Sequence, residues 1–485
     1  LYHREVSEED WLNEALAGFA EYYTSPYGTG NDSVYQLGDI FLQTPEIGLT
    51  HLGLSANQRA KYGAGGLFVI YLYERFGNDI LARLQAESAD SWHSVDKVLR
   101  GLAGVSANEV FADWVLANYV GDAERGYGYR FMDPLPTPAQ PQVTLSEFPA
   151  LHEGSLPQFS SQYLTLNVRG ADRLALRLTQ AAEAALVDTA PAEGDFFYLG
   201  ISSDSHSSRL TRAIDLRAAR SAWLEFRIWH DLYENYEYGY VQVSADNGKT
   251  WSILPGKHTL DDKIAGVFYD DGYTGRSGGW LDERISLSRY AGKEILLRFE
   301  TLSDNLTSYK GMAIDDLRIE TIDFHDGFES ANSGWIEEGW IRTDNRLPNN
   351  TWLQVIQETE ADLEVTRSLM TGSGELAVDL LPDVDRVVVA ISPVVLQTAL
   401  ETEYALEVNL LDADGNEIVI EFNCQLTTTA GLNFRDAPNG TKIGLVQQGA
   451  ALWALDRSGD WFQVDYESQR GWIHGDYVTR TGNCP

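Results

Sequence analysis

At 485 residues the chain has room for about three domains, each able to bury its own core. Its 72 acidic against 36 basic residues leave a formal charge of −36, which repels phosphate backbones and anionic lipid and argues against nucleic-acid or membrane-surface partners. The 13 Trp and 24 Tyr are those of a packed globular protein, and no apolar run approaches the roughly 20 residues that a membrane helix needs.

Residues 1–130 read as helical. Trp11, Leu12, Leu16, Phe19 and Ala20 fall near helical spacing, as do Leu67, Ile70 and Tyr71. Lys61-Tyr62-Gly63-Ala64-Gly65-Gly66 is a glycine-rich helix start, where another helix can approach closely. Ser106-Ala107-Asn108-Glu109 has the spacing of a capping box and opens a helix running through Val110 to Leu116. The proline-rich stretch with Pro134, Pro136, Pro138 and Pro141 cannot be helix, so 131–150 reads as a linker.

Beyond it the period changes to two. Segments beginning at Tyr163, Trp223, Tyr238 and Ile295 alternate as strands, separated by Gly, Asn and Asp clusters. Residues 151–321 are expected to form a jelly-roll β-sandwich, and 322–422 a second β-rich unit. Residues 160–200 have an alternative partner in that second unit. The last segment, 423–485, reads as a small barrel of short strands. Cys424 and Cys484 frame it and suggest one disulfide, hence an oxidising compartment, against the alternative of two unpaired thiols. Closing such a loop stabilises by about 4 kcal/mol on the chain-entropy argument.

Several motifs bear on chemistry. Ser244-Ala-Asp246-Asn-Gly248-Lys-Thr250-Trp251 fits an Asp-box, whose physics is a hairpin: Asp246 bonds turn amides, Gly248 takes positive φ and Trp251 packs beneath. A sialidase-like glycosidase rests on this single box alone and is set aside, because a propeller needs several. Asp315 and Asp316, with Asp304 and Asn305, are candidate hard-oxygen ligands for calcium, the bland reading being a turn cap. Trp229, Tyr233, Tyr236, Tyr238 and Tyr240 form a row in which alternate members are expected to face solvent and stack on carbohydrate or peptide, unless the row is core.

Trp11-Leu-Asn-Glu14-Ala-Leu-Ala, Tyr62-Gly-Ala-Gly-Gly-Leu-Phe-Val-Ile-Tyr-Leu and Ala112-Asp-Trp114-Val-Leu-Ala-Asn118-Tyr119 resemble the helical half of immune inhibitor A-type secreted metallopeptidases, a thermolysin-like (gluzincin) architecture. Arg209 to Leu216, Trp223 to Trp229, Gly272 to Gly278 and Ala313 to Leu317 extend the resemblance into their jelly-roll domain. It implies that 1–130 is the C-terminal half of a zinc peptidase domain, with Glu14 as the third zinc ligand and Tyr62 as a donor to the tetrahedral oxyanion. His3 is either a group near the metal or, preferably, a solvated histidine. No HExxH occurs: His152-Glu153 is the one His-Glu pair and no histidine follows at the needed spacing, so the chain reads as the downstream part of such an enzyme, inactive alone.

Leu432-Asn-Phe-Arg435-Asp-Ala-Pro438, Gly459-Asp-Trp461 and Gly471-Trp472-Ile-His-Gly475-Asp-Tyr477-Val resemble bacterial SH3-like domains, in which exposed aromatics such as Trp472 and Tyr477 hold extracellular enzymes to cell-wall polymers; Trp472 alternatively closes the core. The expected whole is a multidomain α plus all-β protein. It is secreted and wall-associated, acts on protein or peptide substrates and uses zinc. The alternative is a non-catalytic extracellular glycan- or cell-wall-binding protein.

Overall fold

The computed structural model describes residues 10–24, 33–50, 57–87, 91–168, 170–200, 207–260, 271–303, 310–360, 362–420, 424–467, 469–482 and 484. Among them lie the helices α1 (Asp10–Thr24), α2 (Val34–Gln43), α3 (Gln58–Phe76), α4 (Asn78–Ala86), α5 (Ser91–Ala103) and α6 (Ala107–Val120); every later element of any length is strand. None of these helices is long and apolar enough to cross a membrane.

α3 is the axis of the helical layer. Every residue from Gly63 to Leu72 is buried, as expected of a helix that is apolar all round. Its glycines admit the neighbours: a Cβ on Gly63 would stand 1.9 Å from the Leu37 carbonyl oxygen of α2, and one on Gly65 would stand 3.0 Å from Ala15 Cβ of α1. α6 begins with the capping box read from sequence, Ser106 N donating to Glu109 Oε2 at 2.9 Å and Glu109 N to Ser106 Oγ at 3.2 Å. The proline-rich stretch lies against the helices: Thr137 N donates to Asp39 Oδ1 at 3.0 Å and Ala139 N to the Asn118 carbonyl at 2.8 Å.

The helices rest on a five-stranded sheet ordered Val143–Leu145, Gln162–Leu166, Arg386–Pro393, Asn350–Glu358, Leu363–Thr371. Alternate residues point to opposite faces. Tyr163, Trp352, Ile356, Val388 and Ala390 join the helical core, while Leu164, Leu353, Val355, Val387 and Val389 face a second sheet ordered Ala150–Leu156, Thr402–Leu411, Arg173–Gln180, Gly374–Asp379. Buried hydrogen bonds fix the contact, with Tyr163 Oη donating to the Val115 carbonyl at 2.7 Å and Gln354 Nε2 to that of Ala112 at 3.2 Å. Residues 162–180 thus pair with 350–411, the alternative noted above, and the pairing crosses the boundary expected at 321–322.

Between these strands sits another two-sheet sandwich. One sheet runs Ser252–Ile253, Tyr238–Ser244, Glu294–Leu302, Ser207–Asp215, Ile336–Glu338, and the other Leu281–Ser286, Trp223–Asp231, Gly311–Ile319, Phe197–Gly200, Trp340–Thr343. Leu210, Phe226, Val241, Phe299 and Ile314 fill the space between. Glu183–Ala185 pairs with Arg346–Pro348 to make a two-stranded neck. The C-terminal residues form a seven-stranded sheet curled round Leu426, Phe434, Phe462, Val464 and Ile473, and the expected disulfide joins Cys424 to Cys484 with Cα atoms 4.6 Å apart.

Candidate functional site

α1 buries Trp11, Leu12, Ala15 and Phe19 and turns Glu14 outward, exposed. Trp11 anchors the helix: its indole N–H donates to Ser91 Oγ at 3.0 Å and its ring packs 6.5 Å from that of Phe68 on α3. Since Ala15 abuts Gly65, the turn bearing Glu14 touches the turn that follows Tyr62. Tyr62 is half-buried, and its hydroxyl accepts from Gln58 Nε2 at 3.3 Å. His3 lies outside the described residues. A catalytic zinc takes three protein ligands, and Glu14 offers one. It belongs to no cluster of metal-binding side chains among the described residues, so these residues do not by themselves fit the ion.

The cluster that does occur is Glu193, Asp316 and His325, and the protein fills it with its own cation. Arg318 donates to Asp316 Oδ1 at 2.7 Å and to Glu193 Oε2 at 3.0 Å, and His325 Nε2 lies 2.9 Å from the same Asp316 oxygen. Asp315 is wholly buried. Its Oδ2 accepts from the Ala192 and Glu193 amides at 2.8 and 3.0 Å, and its Oδ1 from the Asp316 amide at 2.7 Å. Burial pushes its carboxyl up to about 6, against the pull of those amides. These oxygens are committed to loop amides and a guanidinium, so nothing here indicates calcium; Asp304 and Asn305 lie outside the described residues.

The aromatic row is mostly core, the second of its two readings. Tyr238 and Tyr240 are buried because the strand Tyr238–Ser244 is covered on both faces, and Trp229, on the strand Trp223–Asp231, is buried in a separate cluster with Phe197 and Leu199. The segment 271–273 pairs along the strand's edge, exchanging two 2.8 Å hydrogen bonds between Gly239 and Tyr273, and a Cβ on Gly272 would meet Tyr238 at 2.6 Å. Tyr233 and Tyr236 lie in the connection between the two sheets, stacked at 4.7 Å, with Tyr236 exposed. The Asp-box is the turn its sequence spells. Asp246 accepts from Ser244 Oγ at 2.8 Å and the Thr250 amide at 2.9 Å, Gly248 has φ 83°, and the Arg298 guanidinium covers Trp251 at 3.7 Å. The Thr250 hydrogen bonds, with that of Ser244, hold the Asp246 carboxyl down to about 2.

On the barrel, Trp461–Tyr466 and Gln469–His474 pair so that Phe462, Val464 and Ile473 point inward and Trp461, Gln463, Trp472 and His474 point outward. Trp461 meets the His474 ring edge-on at 4.8 Å, and Tyr477, 52% exposed, stands 6.1 Å from His474. Trp472 is half-buried outside the core, opposite Arg435. Trp461 and His474 complete a surface of which the motif named only Trp472 and Tyr477; the period-two pattern around Ile473 was the available signal.

A family profile described as immune inhibitor A-like, MAM domain, matches residues 172–345, and one described as bacterial SH3 domain matches 430–479. The chain is similar to the pre-pro-metalloprotease PrtV of Vibrio cholerae, 32% identical over 130 residues that make up 27% of this chain and 14% of that protein. It is also similar to bacillopeptidase F of Bacillus subtilis, 35% identical over 97 residues (20% of this chain, 6% of that protein), and to immune inhibitor A of Bacillus thuringiensis subsp. alesti, 22% identical over 162 residues (33% and 22%). The matched stretches therefore span less than a quarter of each relative's own length. The chain carries an immune inhibitor A-like MAM domain and a bacterial SH3 domain, and its homologues are peptidase-related proteins.

Proposed function

We propose that a chain with this MAM domain, SH3 domain and helical layer works as part of a secreted zinc-dependent endopeptidase acting on protein or peptide substrates. In this reading Glu14 is the carboxylate ligand of a zinc whose other holders lie outside this chain, and Tyr62 donates to the oxyanion. A zinc ion so held supplies Lewis-acid activation of water. The MAM domain, as a jelly roll, and its neighbouring sandwich are accessory, and the barrel attaches the enzyme to the cell wall. The chain alone does not hydrolyse peptides. The observation that carries the reading is an exposed carboxylate on a helix whose inner face is packed against the glycine face of α3, in a chain similar to a protein named a metalloprotease. The test is expression from the complete gene, with zinc content and casein hydrolysis compared for the parent and Glu14→Gln. Loss of metal and activity is expected; unchanged zinc content removes Glu14 from the site.

One observation favours a second reading, a non-catalytic extracellular glycan- or wall-binding protein. The outward Trp461–His474–Tyr477 row is an aromatic platform that needs no metal. A complete gene product that holds no zinc yet is retained on insoluble cell wall decides for it.

A further inference from the structure

The strand Leu363–Thr371 ends the sheet beneath the helices: it pairs with Asn350–Glu358 and with no other strand among the described residues. That pairing runs without a shift along 9 residues, which makes it the longest edge strand among the described residues. Its far side is open. Thr351 to Gln357 on the inner strand are all buried, whereas Met370 alone is buried on the outer one, and Glu364, Arg367, Leu369 and Thr371 are exposed. No loop or turn among the described residues bonds its backbone to that of residues 364–371. Open strand edges are templates for another chain, and proteins ordinarily break them with a proline, a bulge or a free cation. This strand has no proline, glycine or bulge, and its one cation, Arg367, is held by Asp113 at 2.6 Å.

Charge selects the occupant. Glu360, Asp362 and Glu364 stand exposed at one end of the edge and Leu369 at the other, on a chain of formal charge −36. A second copy of the chain is a poor fit. Two such copies repel, and paired strands set like faces side by side, so Glu364 and Arg367, on opposite faces, cannot meet across a two-fold axis. An extended segment with cations at one end and apolar residues along the rest matches both ends of the edge, and the net charge draws it in. We propose that the free edge of Leu363–Thr371 takes up a cationic peptide segment as an added antiparallel strand. The site uses no metal and goes beyond the zinc reading, standing or falling apart from it.

The experiment uses the whole chain and a fluorescein-labelled peptide of about nine residues, alternating threonine and valine and ending on two lysines one residue apart, which an antiparallel strand sets beside Asp362 and Glu364. Saturable anisotropy is expected, weakened about tenfold when the lysines are exchanged for glutamates, and to the same degree by Glu364→Lys at its exposed position. Binding should be lost on methylating one of the two alternate sets of peptide amides, the set that faces the edge. Hydrogen exchange on the unmutated chain guards against misfolding of the variant: amides within 363–371 should slow when peptide is added. Peptide binding without that protection overturns the proposal, as does unchanged binding of the glutamate peptide or of both methylated peptides. Protection that grows with chain concentration in the absence of peptide overturns it in favour of a second copy. Zinc content plays no part in any of these readouts.

Discussion

Asp113 of α6 and Arg367 of the strand Leu363–Thr371, 254 residues apart, meet at 2.6 Å, and the second Asp113 oxygen takes Arg75 of α3 at 2.7 Å. One carboxylate thus joins two helices to the edge of the sheet beneath them. The contact lies over a shared apolar core, so the helical layer and that sheet are expected to unfold as one unit. Asp113→Asn leaves two guanidinium groups without their anion. Both arginines are partly solvated, so the loss is about 1–2 kcal/mol and not the larger cost of a dry ion pair. Urea titrations followed at once by helical circular dichroism and by tryptophan fluorescence should shift together; separated transitions would show that the layers fold independently.

Two glycines should respond oppositely to the same added methyl group. Gly63→Ala drives a Cβ to 1.9 Å from the Leu37 carbonyl and pries α2 from α3, at a cost of about 2 kcal/mol or more. Gly101→Ala, on α5 with nothing within 4 Å, should stabilise by about 0.4–1 kcal/mol through the unfolded chain. Thermal melts of the two variants check the sign.

Asp315 makes the MAM sandwich less stable above pH 6 than in mild acid. Its carboxyl is raised in the folded protein from 3.8 to about 6, so its contribution to stability is fully present below pH 4 and is lost as pH rises through 6. The amide resonances of Ala192 and Glu193, which donate to it, should titrate with a midpoint near 6. Midpoints in the ordinary carboxylate range would contradict this.

Cys424→Ser should destabilise the barrel by about 4 kcal/mol, given the 60-residue separation that the disulfide closes. Differential scanning calorimetry should show one transition moving, that of the barrel.

Tyr477→Ala, at an exposed position, should cut retention of the chain on insoluble cell wall while leaving the barrel's melting temperature unchanged. Equal retention would remove the Trp461–His474–Tyr477 surface from attachment.

Local features were legible in the sequence because their partners are a few residues apart. The Ser106–Glu109 box and the Asp246 turn formed as spelled. The disulfide was legible by elimination, since two cysteines frame one module. Long-range pairing was not: period two announces strands but not which strands are neighbours, so the union of 162–180 with 350–411 had to be seen. Alternation also says nothing about whether a second face is covered, which is why the row with Tyr238 and Tyr240 admitted both a solvent-facing and a core reading. Glu14 was singled out by resemblance, while the helical spacing of Trp11, Leu12, Leu16 and Phe19 already set it off the buried face.

The neck formed by Glu183–Ala185 and Arg346–Pro348 has a modular consequence. The Asn349 amide donates to the Ala182 carbonyl at 3.2 Å, so the chain leaves and re-enters the outer sandwich at one spot. Everything between is a graft whose excision asks only that a short turn bridge two adjacent ends. Such a socket lets a lineage exchange the grafted piece for another, or lose it, without disturbing the scaffold that carries the helices.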